Sequence, residues 1–347
     1  MTKVFKTTLA LLLVASIILA MTGCSEGKPT LKVYNWGDYI DESVLVEFEE
    51  EYGIRVIYDT YATNEDMYIK IKAGGSDYDV AFPSDYMIER MIKEDLLHEI
   101  DFNNIPNFKY ISEEFKNLDY DSSNNYSVPY MWGTVGIIYN TTMVDDTVDS
   151  WDILWNEKYA NQILMLDSQR DSIGITLKKL GYSLNTRDVN ELEAVKDELI
   201  KQKPLVLAYV GDDVKDKMIS EEAAMAVVWS GDAVYMKWQN PNLEYAIPKE
   251  GSNLWFDAMV IPKTSKNKEN AELFINFMTS TDIAFKNTDY IGYSTPHVEA
   301  RKLLDDELIN DKTAYPSSED LANCEVFKDL SDFLTEYDRV WTEVKAR

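Results

Sequence analysis

Histidine and cysteine are nearly missing from this sequence, with two of each among 347 residues. The shortage removes most nucleophilic and metal chemistry. His98 stands where a helix is expected to end and His297 follows a proline, and no His/Cys cluster has zinc-ligand spacing. A Gly-x-Ser-x-Gly elbow is missing as well, as are glycine-rich phosphate loops, internal repeats and low-complexity tracts. Positive charge is also short: 34 Lys and Arg face 61 Asp and Glu, a formal charge of −27. Such a chain repels nucleic-acid phosphates and anionic lipid and concentrates cations around itself. Neither a cofactor, a metal nor a nucleic-acid partner is expected.

The chain also lacks an apolar run that spans a bilayer comfortably. Leu9 to Met21 comes nearest, broken by Ser16 and preceded by Lys3 and Lys6. It ends in Thr22-Gly23-Cys24, the pattern of a secretory signal. A single N-terminal membrane helix is the competing reading. Met-Thr-Gly-Cys resembles a bacterial lipobox, so Cys24 is expected to be acylated; an ordinary cleaved signal with an incidental cysteine is the plainer alternative. Residues 1–23 then form a lipoprotein signal peptide and residues 24–30 a tether. The mature chain is exported and lipid-anchored to the outer face of the cell membrane, or periplasmic. With Cys24 lipidated, Cys324 has no partner and no disulfide framework exists.

What is there in quantity is apolar and aromatic: 45% hydrophobic residues and 12% aromatic, a globular composition. The length after residue 23 suits two α/β domains better than one core. Strands are expected at 31–35, 54–58 and 78–82, alternating with helices at 41–52, 64–73 and 86–95. A second run has strands at 162–166, 205–209 and 224–229, with helices at 172–180, 190–201, 213–220 and 231–238. This β-α alternation implies mostly parallel sheets flanked by helices. Two extended stretches, 128–136 and 255–262, read as the crossings of a hinge between two lobes. Helices at 268–278 and 282–287 follow. Leu330, Phe333, Leu334, Tyr337, Trp341 and Val344 repeat at helical spacing and read as core.

In open α/β sheets ligands bind beyond the carboxyl ends of the strands. At those junctions aromatic rings and carboxylates recur together. Trp36-Gly37-Asp38-Tyr39, Pro83-Ser84-Asp85-Tyr86, Asp167-Ser168-Gln169-Arg170-Asp171 and Trp229-Ser230-Gly231-Asp232 are four of them. Trp255-Phe256-Asp257 and Tyr290-Ile291-Gly292-Tyr293 join them. One at a time, each Asp is better explained as a helix cap and each Trp as packing. The recurrence suits a polyamine, whose ammonium groups need carboxylates and whose methylenes need flat apolar walls. Charge-assisted hydrogen bonds contribute about 1.5–3 kcal/mol each. Aromatic faces attract the cations by roughly 0.5–2 kcal/mol. The expected ligand-binding set is Trp36, Asp38, Tyr39, Ser84, Asp85, Tyr86, Asp171, Trp229, Asp232, Trp255, Asp257 and Tyr293.

From Leu31 onward the chain resembles the periplasmic spermidine/putrescine-binding proteins of ABC transporters. The likeness is carried by Tyr34-Asn35-Trp36 with Tyr39, Gly53–Tyr61 with Asn64-Glu65 and Met67-Tyr68, Pro83-Ser84 with Tyr86, and Ser127–Gly133. Trp229 with Gly231, Trp255 with Asp257, Ile291–Pro296 and Lys312–Pro316 extend it. The resemblance implies a type II periplasmic-binding-protein fold, two α/β lobes closing on ligand about a two-crossing hinge. Lobe 1 would hold 31–133 and 257–302, and lobe 2 would hold 134–256 and 303–347. It implies ligand contacts at Trp36, Tyr39, Ser84, Tyr86, Trp229, Trp255, Asp257 and Tyr293. Asp38 and Asp171 keep a carboxylate where spermidine-preferring members tend to have Glu. Ser168 stands where those members carry Asp, Gly37 and Phe327 where they carry polar side chains, and Asp232 resembles a carboxylate of putrescine-specific relatives. The expected solute is putrescine, alone or with spermidine, delivered by a monomer to ABC permease subunits. Other organic cations, a ferric ion, and a carboxylate-dependent hydrolase remain as alternatives.

Overall fold

The computed structural model describes residues 28–347. The expected signal, the expected acylation site Cys24 and most of the expected tether lie outside the described residues. Among the described residues nine strands are present: β1 (Thr30–Trp36), β2 (Arg55–Tyr61), β3 (Val80–Ala81), β4 (Ser127–Asn140), β5 (Ile163–Leu166), β6 (Val206–Val210), β7 (Met225–Trp229), β8 (Leu243–Ala246) and β9 (Leu254–Val260). Their order is β2-β1-β3-β9-β4-β7-β5-β6, with β8 added on β4. Each end of this path is a parallel trio: β2-β1-β3 on one side, β7-β5-β6 on the other. Parallel pairs need crossover helices, and the chain supplies them.

Helices α1 (Ser43–Tyr52), α2 (Asn64–Lys72) and α3 (Asp85–Lys93) wind the first trio. Helices α4 (Gln169–Lys179), α5 (Val189–Gln202), α6 (Val214–Ile219) and α7 (Ser230–Gln239) wind the second. Each of the two lobes is therefore a mostly parallel sheet flanked by helices. The strands that join them run antiparallel to their neighbours. β4 is 14 residues long, about 45 Å at some 3.3 Å per residue. Its first half pairs with β9 from Ser127↔Val260 to Thr134↔Leu254, and its second half pairs with β7 and β8. One strand thus serves both sheets, and twelve of its first twelve positions are buried, which is why its sequence is apolar without alternation.

Helices α8 (Lys268–Met278), α9 (Thr281–Ile291), α10 (Val298–Arg301) and α11 (Asp306–Ile309) follow, and α12 (Leu334–Ala346) closes the chain. On α12, Tyr337, Val340 and Val344 are buried with Ile173, Leu177, Leu192 and Leu199 of α4 and α5. That part of the C-terminal stripe is core, as its periodicity requires. Several features differ from the sequence expectation, among them the short helices α10 and α11 and the two-residue β3. β8 is an edge strand of four residues with one buried position, too short and too polar to leave a pattern. The helices α3 and α4 start at Asp85 and Gln169, one and three residues before the expected starts; in α4 the first turn, Gln169-Arg170-Asp171-Ser172, is polar and hides the apolar periodicity.

Candidate functional site

The carboxyl ends of the strands face a cleft of about 730 Å³. All twelve residues expected from the sequence line it. Trp36, Asp38 and Tyr39 leave the end of β1; Ser84, Asp85 and Tyr86 make the β3–α3 turn. Asp171 lies in the first turn of α4 and Asp232 in that of α7, while Trp229 ends β7. Trp255 and Asp257 come from β9. Tyr293 follows Gly292, whose left-handed φ of 75° ends α9 and turns the chain back toward the cleft.

Three carboxylates are buried there with raised pKa values, and two of them, Asp257 and Asp171, have no ion-pair partner among the described residues. Asp257 accepts the Tyr39 hydroxyl on Oδ2 at 2.8 Å, while its Oδ1 has no partner among the described residues. Burial pushes its pKa up to about 7. Asp171 accepts the Ser168 hydroxyl on Oδ2 at 2.7 Å, and its Oδ1 is likewise unpartnered. Burial lifts it to about 6, against the pull of Ser168 and the Arg170 guanidinium. Asp232 also stands at about 6, raised by burial and lowered by Lys215. A buried carboxylate with an idle oxygen is costly unless something pairs with it.

Asp85 is different. Its Oδ1 accepts the Tyr86 amide at 2.7 Å and its Oδ2 the Phe256 amide at 2.9 Å. One oxygen holds its own turn and the other ties that turn to β9, so a solute contact is not what its geometry offers. Burial nonetheless pushes it to about 8. Ser168 caps α4, its hydroxyl accepting from the Asp171 amide at 3.4 Å.

The walls are aromatic and fixed. Trp36 donates its indole N–H to the Phe82 carbonyl at 2.8 Å, and Tyr61 donates its hydroxyl to the same oxygen at 2.7 Å. Tyr293 meets Tyr39 edge-on at 5.1 Å and lies 5.4 Å from Trp255. It also crosses Gly231 so closely that a Cβ there would overlap the ring. Ser84 and Tyr86 are held by Asn64, whose amide donates to both hydroxyl oxygens at 3.0 and 3.1 Å.

Several lining residues escaped the sequence reading. Asp212 sits just beyond β6, a junction of the same kind as the others, so the signal existed. Lys215 lies farther along α6 and carried none. Its Nζ is 2.9 Å from Asp38 Oδ2 and 3.8 Å from Asp232 Oδ1. Arg170 is 3% exposed, stacks over Phe327 at 4.3 Å and donates to the Lys328 carbonyl. Phe327 is thus the floor for that guanidinium. Trp341 of α12, expected in the core, is half-buried and reaches the cleft. In all, nine carboxylates line the cleft against Arg170 and Lys215, an anionic well.

A family model described as bacterial extracellular solute-binding protein matches residues 43–316. This chain belongs to that family. The solute-binding protein is 38% identical over 339 residues, 97% of each chain, to the spermidine/putrescine-binding periplasmic protein of Salmonella typhimurium. It is 32% identical over the full length of both chains to the putrescine-binding periplasmic protein of Pseudomonas aeruginosa. Among solved structures, a putative spermidine/putrescine ABC transporter protein from Listeria monocytogenes superposes with a TM-score of 0.89 at 46% identity. That match covers 91% of this chain and 98% of the other. The two-lobed α/β fold implied by the resemblance is the fold present. Among the described residues no helix is long and apolar enough to cross a membrane.

Proposed function

We propose that this solute-binding protein captures a polyamine between its lobes, putrescine or putrescine together with spermidine, and delivers it to the permease of an ABC importer. One observation carries the reading: Asp171 and Asp257 are buried in an aromatic-walled cleft, each with an oxygen that accepts no well-formed hydrogen bond among the described residues, although Asn253 and Ser84 stand near them. An ammonium group meets both needs, since it has three donors and a charge of the right sign. The relatives' names, which specify spermidine and putrescine, support the same class. Eleven of the twelve expected lining residues form the ligand set, and the twelfth, Asp85, is a positioning residue. Lobe 1 comprises 31–133 and 257–302, lobe 2 comprises 134–256 and 303–347, and the hinge runs where β4 and β9 cross between them. The protein acts as a monomer anchored through acylated Cys24 and turns over no substrate.

Trp36, Trp229, Trp255 and Trp341 line the cleft, so intrinsic fluorescence reports occupancy. Titration with putrescine, spermidine, choline and thiamine is expected to give saturable changes for the first two, in the micromolar range or tighter, about −8 kcal/mol or better. Saturation by choline or thiamine alone would replace the polyamine reading.

A further inference from the structure

We propose that Lys215 is a specificity-determining residue: it supplies one of the cleft's ammonium groups itself, so a two-cation ligand completes the site and a third cation is disfavoured. The inference rests on the polyamine reading above and deepens it. A lysine side chain is a primary ammonium on a four-carbon stem, the same chemistry as one end of a polyamine. Its Nζ lies 2.9 Å from Asp38 and 3.8 Å from Asp232. The Lys215 side chain is 15% exposed and that of Asp232 9%, so this contact is buried, whereas Asp38 is 70% exposed and holds the ammonium from the solvent side.

The cluster that Lys215 fills joins the two lobes. Asp38 follows β1, whereas Asp212, Lys215 and Asp232 belong to the β6–α6 and β7–α7 segments. Asp38 holds a left-handed φ of 47°, a conformation that Asp tolerates better than most residues. Asp212 reaches across to cover Gly37, where an added Cβ would stand 2.9 Å from its Oδ2. A side chain at position 37 would displace Asp212, so the glycine and the cluster go together. Burial pulls the Lys215 ammonium toward neutrality, but Asp232 and Asp38 more than offset it and leave it charged.

The opposite group of acids is unlike this one. Asp171 and Asp257 interact with each other and keep unpartnered oxygens, and the neighbouring Arg170 is committed to the Phe327 ring and the Lys328 carbonyl. Tyr293 lies between, close enough to feel both Asp232 and Asp257. Ammonium groups from a ligand are therefore needed at the Asp171/Asp257 end, while the Asp38/Asp232 end is already part-neutralised. A longer triamine brings its extra charge against Lys215, and like charges across a binding site discriminate against the wrong partner.

The test is calorimetric titration of putrescine and spermidine into the full mature chain and into Lys215→Met, which keeps the stem and removes the charge. The spermidine-to-putrescine affinity ratio is expected to rise at least about tenfold in the variant, and Lys215→Arg is expected to keep the original ratio. A ratio within about twofold of the original, with both amines still binding, overturns the proposal. Should Lys215→Met fail to fold, Lys215→Gln is read the same way. If neither amine binds the unmodified protein, the polyamine reading itself has failed, an outcome separate from an unchanged ratio.

Discussion

A carboxyl group whose proton is held more tightly in the folded chain than in the unfolded one makes stability depend on pH. Asp171, Asp232 and Asp257 stand at about 6, 6 and 7 against 3.8 for the free side chain. Their contribution to stability is fully present below about pH 4 and is lost as the pH rises through about 6 to 7, because the unfolded state gives up those protons first. The melting temperature of the ligand-free protein is expected to fall from about pH 5 to about pH 7.5 on their account. A dication binds the charged forms, so the melting-temperature rise caused by putrescine should grow over the same interval. Asp257→Asn should flatten both trends and weaken putrescine by roughly ten- to a hundredfold, from the 1.5–3 kcal/mol of a charge-assisted bond. Thermal melts at several pH values check this; a putrescine effect independent of pH would contradict it. At this scale the sequence was readable where acids and rings sit at strand ends. It was not readable for Lys215, a lysine on a six-residue helix whose importance comes from meeting Asp38, 177 positions away. Nor did it reveal that Asp85 is consumed by backbone amides contributed in part by Phe256.

Elements set those residues in place, and one contact between elements is unusually tight. Gly231 opens α7 directly under the Tyr293 ring, which follows α9. Gly231→Ala forces the ring or the helix start to move, an overpacking cost of about 1–3 kcal/mol. The expected result is a lower melting temperature together with putrescine binding weakened by about tenfold, since Tyr293 and Asp232 are displaced jointly. Unchanged binding would mean that Tyr293 is not part of the solute's wall. Element existence was legible from alternating apolar patterns, because each lobe repeats the strand-helix unit. The start of α4 was not, since its polar first turn looks like a loop until the strand before it is placed. β8 stayed hidden because its pairing with the far half of β4 is purely a tertiary event.

At the scale of the molecule, β4 and β9 carry the chain between two sheets and leave the strand ends of both facing one cleft. The extended stretches with proline and glycine announced those crossings, but a pattern of buried residues cannot say that β4 is one continuous strand shared by both sheets. The same convergence collects nine carboxylates and two cations in one place, which the overall charge of −27 suggested only in sign. It also draws Trp341 of α12 from an otherwise core-facing stripe into the cleft wall. The claim that the cleft receives a polyamine is tested most directly by a crystal structure of the protein grown with putrescine. The account predicts rod-shaped density between the lobes, with an ammonium against the free Oδ1 atoms of Asp171 and Asp257 and methylenes along Trp255 and Tyr293. Density elsewhere on the protein, or an empty cleft at saturating putrescine, would contradict it.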